Sequence, residues 1–69
     1  METVAITTEY ITLGQFLKYI NVASGGGDIK AILASESVRV DGALETRRGK
    51  KLRKGNTITI DDVGTYVIG

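Results

Sequence analysis

The amino-acid sequence predicts a small α+β fold in which two short helices pack on an antiparallel sheet. The 69 residues allow one domain, residues 1–69, and 42% of them are apolar, which is enough to form a core. Two stretches with helical spacing of apolar residues are separated by a glycine-rich turn. One alternating segment precedes these stretches, and four short alternating segments follow them, as expected for strands.

The first predicted element is a strand that leads directly into a helix. Val4, Ile6 and Tyr10 alternate with polar or small residues, so we expect a half-buried strand that ends near Tyr10. Thr12 and Gln15 have the spacing of a capping box, which predicts a helix beginning at Thr12. The apolar stripe of this helix consists of Leu13, Phe16, Leu17 and Ile20.

A turn over residues 21–27 separates the first helix from the second. Apolar residues with helical spacing from Ile29 onward predict a helix that continues to about Glu36. Gly26 and Gly27 precede this spacing and have two interpretations. They form a simple interhelical turn, or they let the helix N-terminus approach a phosphate group.

Two predicted hairpins follow the helices. Asp41-Gly42 is a strong signal for a two-residue hairpin turn, so residues 38–40 are expected to pair with residues 43–46. Residues 57–60 and 65–68 alternate in the same way and predict the final hairpin.

Between these hairpins, the segment RRGKKLRKGN (residues 47–56) is predicted to be an exposed loop. Leu52 is its only apolar residue and is the expected anchor of the loop.

The residue types that most often perform catalysis are missing from the sequence. It contains neither cysteine nor histidine, which removes the thiolate and imidazole metal ligands, the usual thiol nucleophile and the usual general base. Asp61-Asp62 lies between two predicted strands, where aspartates commonly form turns. We therefore expect no enzyme activity, no cofactor and no small-molecule substrate. The lack of cysteine and of any long apolar segment predicts a cytoplasmic protein without membrane association.

The overall net charge of +1 hides a strong asymmetry along the chain. Residues 39–54 contain seven basic and two acidic residues, a net charge of +5, whereas the remaining residues carry −4. The crowded cations repel one another, and phosphate groups relieve that repulsion while their counterions are released. The pattern therefore favours nucleic-acid binding over a solvated turn that serves only solubility.

Tyrosine rings can stack on unpaired bases, and the sequence has three tyrosines. Tyr10 and Tyr66 fall at apolar strand positions and are predicted to pack in the core. Tyr19 lies on the exposed side of its predicted helix and is the stacking candidate.

Four segments resemble a known family: ITLGQFLK (Ile11 to Lys18), GG-x-x-K (Gly26 to Lys30), V-x-V (Val38 to Val40) and RRGKKL (Arg47 to Leu52). They are similar to the RNA-binding domain first described in small-subunit ribosomal protein S-four, and above all to its stand-alone YaaA-type branch. The resemblance extends from about Ile11 to Ile60. It implies an αα-turn and a following hairpin that present a positive face to structured RNA.

The resemblance also implies a role and a set of contacts. Stand-alone members are thought to bind ribosomal RNA or ribosomal particles and to assist assembly of the large subunit, without catalysis. Two alternatives stay open. The chain could be an adaptor whose exposed loop over residues 47–56 docks an acidic protein, or an accessory domain that works with a separate enzyme. The RNA-binding residues that we expect are Lys30, Arg39, Arg47, Arg48, Lys50, Lys51, Arg53 and Lys54, with Gly26 and Gly27 allowing close approach.

Overall fold

The computed structural model describes residues 1–69 as two helices and seven strands arranged in two sheets. The predicted α+β class with two helices is confirmed. The elements in chain order are β1 (Glu2–Val4), β2 (Ile11–Thr12), α1 (Leu13–Tyr19), α2 (Gly26–Ala34), β3 (Val38–Val40), β4 (Ala43–Leu44), β5 (Lys51–Leu52), β6 (Thr57–Ile60) and β7 (Gly64–Ile68).

Helix α1 begins as its capping box predicts. The Gln15 backbone N–H donates to Thr12 Oγ1 at 3.3 Å, and the Thr12 N–H donates to Gln15 Oε1 at 3.1 Å. These reciprocal bonds satisfy amides that have no acceptor inside the helix. The predicted apolar stripe is buried at Leu13, Phe16 and Leu17.

Helix α2 begins without a side-chain cap on its N-cap residue, Gly25. Instead, Asp28 in the first turn accepts hydrogen bonds from the hydroxyl and the backbone N–H of Ser24. These hydrogen bonds, led by the one from the hydroxyl, lower the pKa of Asp28. The helix ends at Ala34, two residues before the predicted end, because Glu36 adopts a left-handed backbone conformation with φ 60°.

The larger sheet has the strand order β1-β7-β6-β3-β4 and is mixed. Strand β1 pairs in parallel with β7, and the other three pairs are antiparallel. The expectation of a wholly antiparallel sheet is therefore wrong at this edge. Alternation shows that a segment is a strand but not the direction of its partner. The parallel pair joins the two ends of the chain and has the long connection that parallel strands require.

A second sheet pairs β2 with β5 and was not predicted. Ile11 lies opposite Leu52, and Thr12 lies opposite Lys51. The first strand, expected to reach Tyr10, ends at Val4, and no strand forms over residues 5–10. The expected loop over residues 47–56 contains β5. Two-residue strands are too short to give a period. Leu52 is fully buried, so its predicted role as an anchor is confirmed.

Both predicted hairpins form. Asp41 has φ 51° and Gly42 has φ 85°, and two positive φ angles are what a type I′ turn requires. The returning strand β4 covers only Ala43–Leu44 and stops short of the predicted residue 46. Strands β6 and β7 pair from Thr57 opposite Val67 to Ile60 opposite Gly64.

The core lies between the two helices and the inner faces of both sheets. The Phe16 ring packs edge-on against Tyr66, with centroids 5.6 Å apart, and the predicted burial of Tyr66 against the core is confirmed. No helix is long and apolar enough to cross a membrane. The buried apolar residues are Val4, Leu13, Phe16, Leu17, Ala23, Ile29, Leu33, Val38, Val40, Leu52, Ile58, Ile60 and Ile68.

The carboxylate of Asp41 ties the β3–β4 turn to the segment that precedes β6. Asp41 Oδ1 accepts the Thr57 backbone N–H at 2.8 Å, and Asp41 Oδ2 accepts Asn56 Nδ2–H at 2.6 Å. Asn56 Oδ1 in turn accepts the Arg53 backbone N–H at 2.7 Å. This chain of hydrogen bonds positions the end of the basic segment relative to β3.

The first prediction concerns this tie. Asp41→Gly keeps the favourable backbone at positive φ but removes both carboxylate bonds, so the free energy of unfolding should fall by about 1–3 kcal/mol. Urea unfolding followed by circular dichroism measures the change. Asp62→Gly is the matched control: Asp62 has φ 63° in an exposed turn, and its substitution should change stability by less than about 0.5 kcal/mol. Equal losses in both variants would contradict the assigned role of Asp41.

Candidate nucleic-acid interface

Residues 47–54, here called the basic loop, are held against the start of α1 through backbone atoms. The Leu13 N–H donates to the Lys50 carbonyl at 2.8 Å, and the Gly14 N–H donates to the Arg48 carbonyl at 2.9 Å. These two amides lie in the first helical turn and have no intrahelical acceptor. A Cβ on Gly14 would lie 3.4 Å from the Arg48 carbonyl oxygen, so glycine lets the loop lie close. The basic loop therefore has a fixed backbone.

Four cations of the basic loop line one shallow concave surface, which we call the cation cluster. No acidic and no apolar residue lines it. Cations gathered on one open surface give the strong local potential that attracts a polyanion. The cation cluster consists of Arg47, Lys50, Lys51 and Arg53, with Gly49 between them.

Arg48 points to the other side of the basic loop, toward the start of α2. Its Nη1 lies 3.9 Å from the position that a Cβ on Gly26 would occupy. Gly26, Lys30 and Arg48 line a groove between α2 and the loop, and Gly27 follows in the same first turn with open space where a side chain would lie. The structure thus brings together Gly26, Lys30 and Arg48, whereas Gly27 is only their neighbour in the chain.

Arg47 is already paired within the protein. Its Nε and Nη2 donate to the two carboxylate oxygens of Glu45 at 3.0 and 3.1 Å, and the same carboxylate accepts the backbone N–H groups of Thr46 and Arg47. The hydrogen bonds from the Arg47 side chain lower the pKa of Glu45 to about 2. The Arg47 side chain is 72% exposed, so a phosphate can reach it in competition with Glu45.

Two other predicted RNA-binding residues lie outside both the cation cluster and the groove at α2. Arg39 lies in the middle of β3, and its Nη1 is 3.4 Å from Asp61 Oδ1. Lys54 lies in an exposed turn before Gly55, which has φ 96°. Neither residue lines the cation cluster or the groove at α2.

Tyr10 belongs to this surface, and the prediction that it packs in the core is wrong. Tyr10 is 37% exposed. Lys51 Nζ lies 5.0 Å and Arg53 Cζ lies 5.6 Å from the centroid of its ring. Successive residues of a strand face opposite sides. Because Ile11 and Leu52 face inward, Tyr10 falls on the outer face with the two cations. The only signal for β5 was the alternation of Lys51, Leu52 and Arg53, and three residues are too few to establish a period.

Tyr19 is 64% exposed, as its position on the helix predicts. The structure contains no group of three or more acidic, histidine or cysteine side chains that could hold a metal ion. The arrangement offers cations on an anchored backbone, first-turn amides of α2 without a helical acceptor, and exposed aromatic rings. These are groups that proteins use to contact phosphates and bases.

Two comparisons with known proteins agree on the kind of chain to which this one is similar. A family model described as "S4 domain" matches residues 4–68. The chain is also similar to the "Probable ribosome maturation protein RlbA" of Bacillus subtilis (strain 168). The two are 40% identical over 65 residues, which cover 94% of this chain and 92% of that protein.

The second prediction follows from the pKa of Glu45, which is about 2 in the folded protein against an ordinary 4.5. A carboxylate whose pKa is lowered by folding stabilises the protein above its unfolded pKa, and this contribution is lost as the pH falls toward the folded pKa. Glu45→Gln should therefore lower the free energy of unfolding at neutral pH. As the pH falls from about 4.5 to about 2, the variant should lose less stability than the unsubstituted protein does.

Urea unfolding at a series of pH values tests this expectation. Glu36→Gln is the control, because it removes an exposed carboxylate outside the turn that Glu45 stabilises. A pH dependence of Glu45→Gln that matches that of the unsubstituted protein would contradict the role of the Arg47 contact.

Proposed function

The chain belongs to the S4 domain family, and from this premise we propose that it is a non-catalytic RNA-binding protein that acts in ribosome maturation. The family match, which covers residues 4–68, and the ribosome maturation protein that is 40% identical support the proposal. The observation that carries it is the fixed basic loop. Its cation cluster has no acidic residue on its lining and is open to solvent.

The fixed geometry favours recognition of a folded RNA by its shape. A flexible basic tail binds any polyanion, whereas cations held at set positions bind best where phosphates have a matching arrangement. The loop backbone is anchored by the hydrogen bonds to Leu13 and Gly14 and by the buried Leu52. We infer that the partner is structured ribosomal RNA, within the large ribosomal subunit or its precursors.

The site residues have distinct proposed roles. Lys50, Lys51 and Arg53 bind phosphates at the cation cluster, and Arg47 joins them after exchanging Glu45 for a phosphate. Lys30 and Arg48 bind a phosphate at the groove beside α2, where the Gly26 and Gly27 amides face no helical acceptor. Arg39 and Lys54 add positive charge farther from these contacts. Each role is supported by position and charge.

The third prediction assigns phosphate contacts by salt dependence. Lys50→Gln and Arg48→Gln should each weaken binding to an RNA duplex of about 16 base pairs and reduce the slope of log affinity against log salt by about one. Fluorescence anisotropy at several salt concentrations measures both quantities.

Val63→Glu is the matched control for that experiment. It changes the net charge by the same amount as Lys50→Gln, but it lies in the exposed β6–β7 turn, at the end of β6 opposite to the basic loop. Its salt slope should stay that of the unsubstituted protein. Equal slopes in all these proteins would overturn the assigned contacts.

The fourth prediction concerns the partner in the cell. The unsubstituted protein should sediment with large ribosomal subunits or their precursors from a lysate at low salt and dissociate at raised salt. A variant with Arg47, Arg48, Lys50 and Lys51 all changed to Glu should stay at the top of the gradient, whereas Val63→Glu should sediment with the particles.

Nuclease treatment separates RNA binding from binding to an acidic protein. Digestion of the RNA should release the protein from any particle that carries it. A complex that survives digestion and depends on the same four cations would replace the RNA proposal with the adaptor alternative. Absence of the protein from all ribosomal fractions would remove ribosomal particles as the partner.

A further inference from the structure

We propose that a groove beside the cation cluster binds one unpaired base of the RNA, by stacking on exposed tyrosine rings. The groove lies between residues 8–11 and α1, and Tyr10 and Tyr19 both line it. This inference rests on the proposed RNA binding and adds to it a specific feature of the ligand: a nucleotide outside the double helix, next to the phosphates held by the basic loop.

The two tyrosine rings are the first reason. Tyr10 and Tyr19 are 37% and 64% exposed. Phe16 and Tyr66, by contrast, pack against each other at the core. Exposed aromatic rings beside a cationic surface are the platforms on which proteins stack single-stranded bases.

The connection to the cation cluster is the second reason. Lys51 and Arg53 line that cluster, and both lie against the ring of Tyr10, at 5.0 and 5.6 Å from its centroid. Lys18 lines the groove as well, and Glu9 is its only acidic residue. An RNA strand whose phosphates lie at Lys51 and Arg53 would therefore continue into the groove, where the neighbouring base meets the tyrosine rings and Lys18 is the one cation.

The groove is also formed in advance. The Thr8 hydroxyl donates to the Tyr10 carbonyl at 2.8 Å, and the pairing of Ile11 with Leu52 fixes the next residue of that wall. On the α1 side, Gln15 Oε1 accepts the Thr12 N–H, which leaves the Gln15 amide NH₂ group as a hydrogen-bond donor for a base edge. Little ordering of the protein is needed when a base enters.

The fifth prediction compares three RNA probes that share one duplex of about 16 base pairs. The first probe is blunt, the second carries a short unpaired adenosine tail, and the third carries an abasic tail of equal length and charge. The adenosine tail should bind more tightly than the abasic tail, by about 5- to 100-fold, because only the former can stack. Fluorescence anisotropy at one salt concentration gives the three affinities.

Substitution of the tyrosines tests where the base lies. Tyr19→Ala should remove much of the preference for the adenosine tail and leave the affinity for the blunt duplex unchanged. Tyr10→Ala should also remove much of the preference if it folds, but it alters the surface beside Lys51 and Arg53 as well, so Tyr19→Ala is the decisive variant. Tyr10→Phe and Tyr19→Phe keep the ring and should keep the preference. Tyr19 protrudes from the end of α1, so its variant keeps the test valid if Tyr10→Ala unfolds.

The outcomes separate this inference from the proposed function. Equal affinity for adenosine and abasic tails, with tight and salt-dependent binding of all three probes, overturns the base site and leaves RNA binding in place. A preference that survives both alanine variants places the base elsewhere and overturns the site as well. Failure to bind any probe contradicts the proposed RNA binding itself.

Discussion

The hydrogen bonds from the first amides of α1 to the carbonyl groups of the basic loop are the constraint on which the proposed binding surface depends. Cations this close in sequence repel one another and would spread apart in a free loop. The Leu13 and Gly14 amides bond Lys50 and Arg48 through their carbonyl oxygens only. Since the attachment uses backbone atoms, the charged ends of the side chains stay available to a ligand. The same bonds satisfy a helix start that would otherwise need another partner.

The acidic residues near the basic loop order the protein without removing its positive potential. Asp41 uses both carboxylate oxygens to join the β3–β4 turn to Asn56 and Thr57. Glu45 accepts two backbone amides and the Arg47 guanidinium, so it fixes the turn that begins the loop. Neither carboxylate lines the cation cluster. The net charge of +5 over residues 39–54 already counts these two carboxylates, and both are engaged in structural hydrogen bonds.

Local signals in the sequence predicted local structure, and contacts between distant segments escaped them. The capping box at Thr12 and the Asp41-Gly42 turn depend on neighbouring residues, and both form as predicted. The pairing of β1 with β7 and of β2 with β5 depends on residues more than 35 positions apart, and no period in the sequence records it. The wrong prediction that Tyr10 packs in the core has the same origin. Composition predicted the basic surface, but only the structure shows that Arg47 bonds Glu45.

The combination of cations and tyrosine rings has a consequence for specificity. Phosphate contacts supply affinity that falls steeply with salt and carries no information about sequence or pairing. Stacking on Tyr10 or Tyr19 is sequence-tolerant, yet it requires a base that is free of its helix. If both proposed contacts are made, the surface selects a duplex beside an unpaired nucleotide over either feature alone. Such junctions are common in folded RNA, and under this proposal a domain of 69 residues recognises one without a deep pocket.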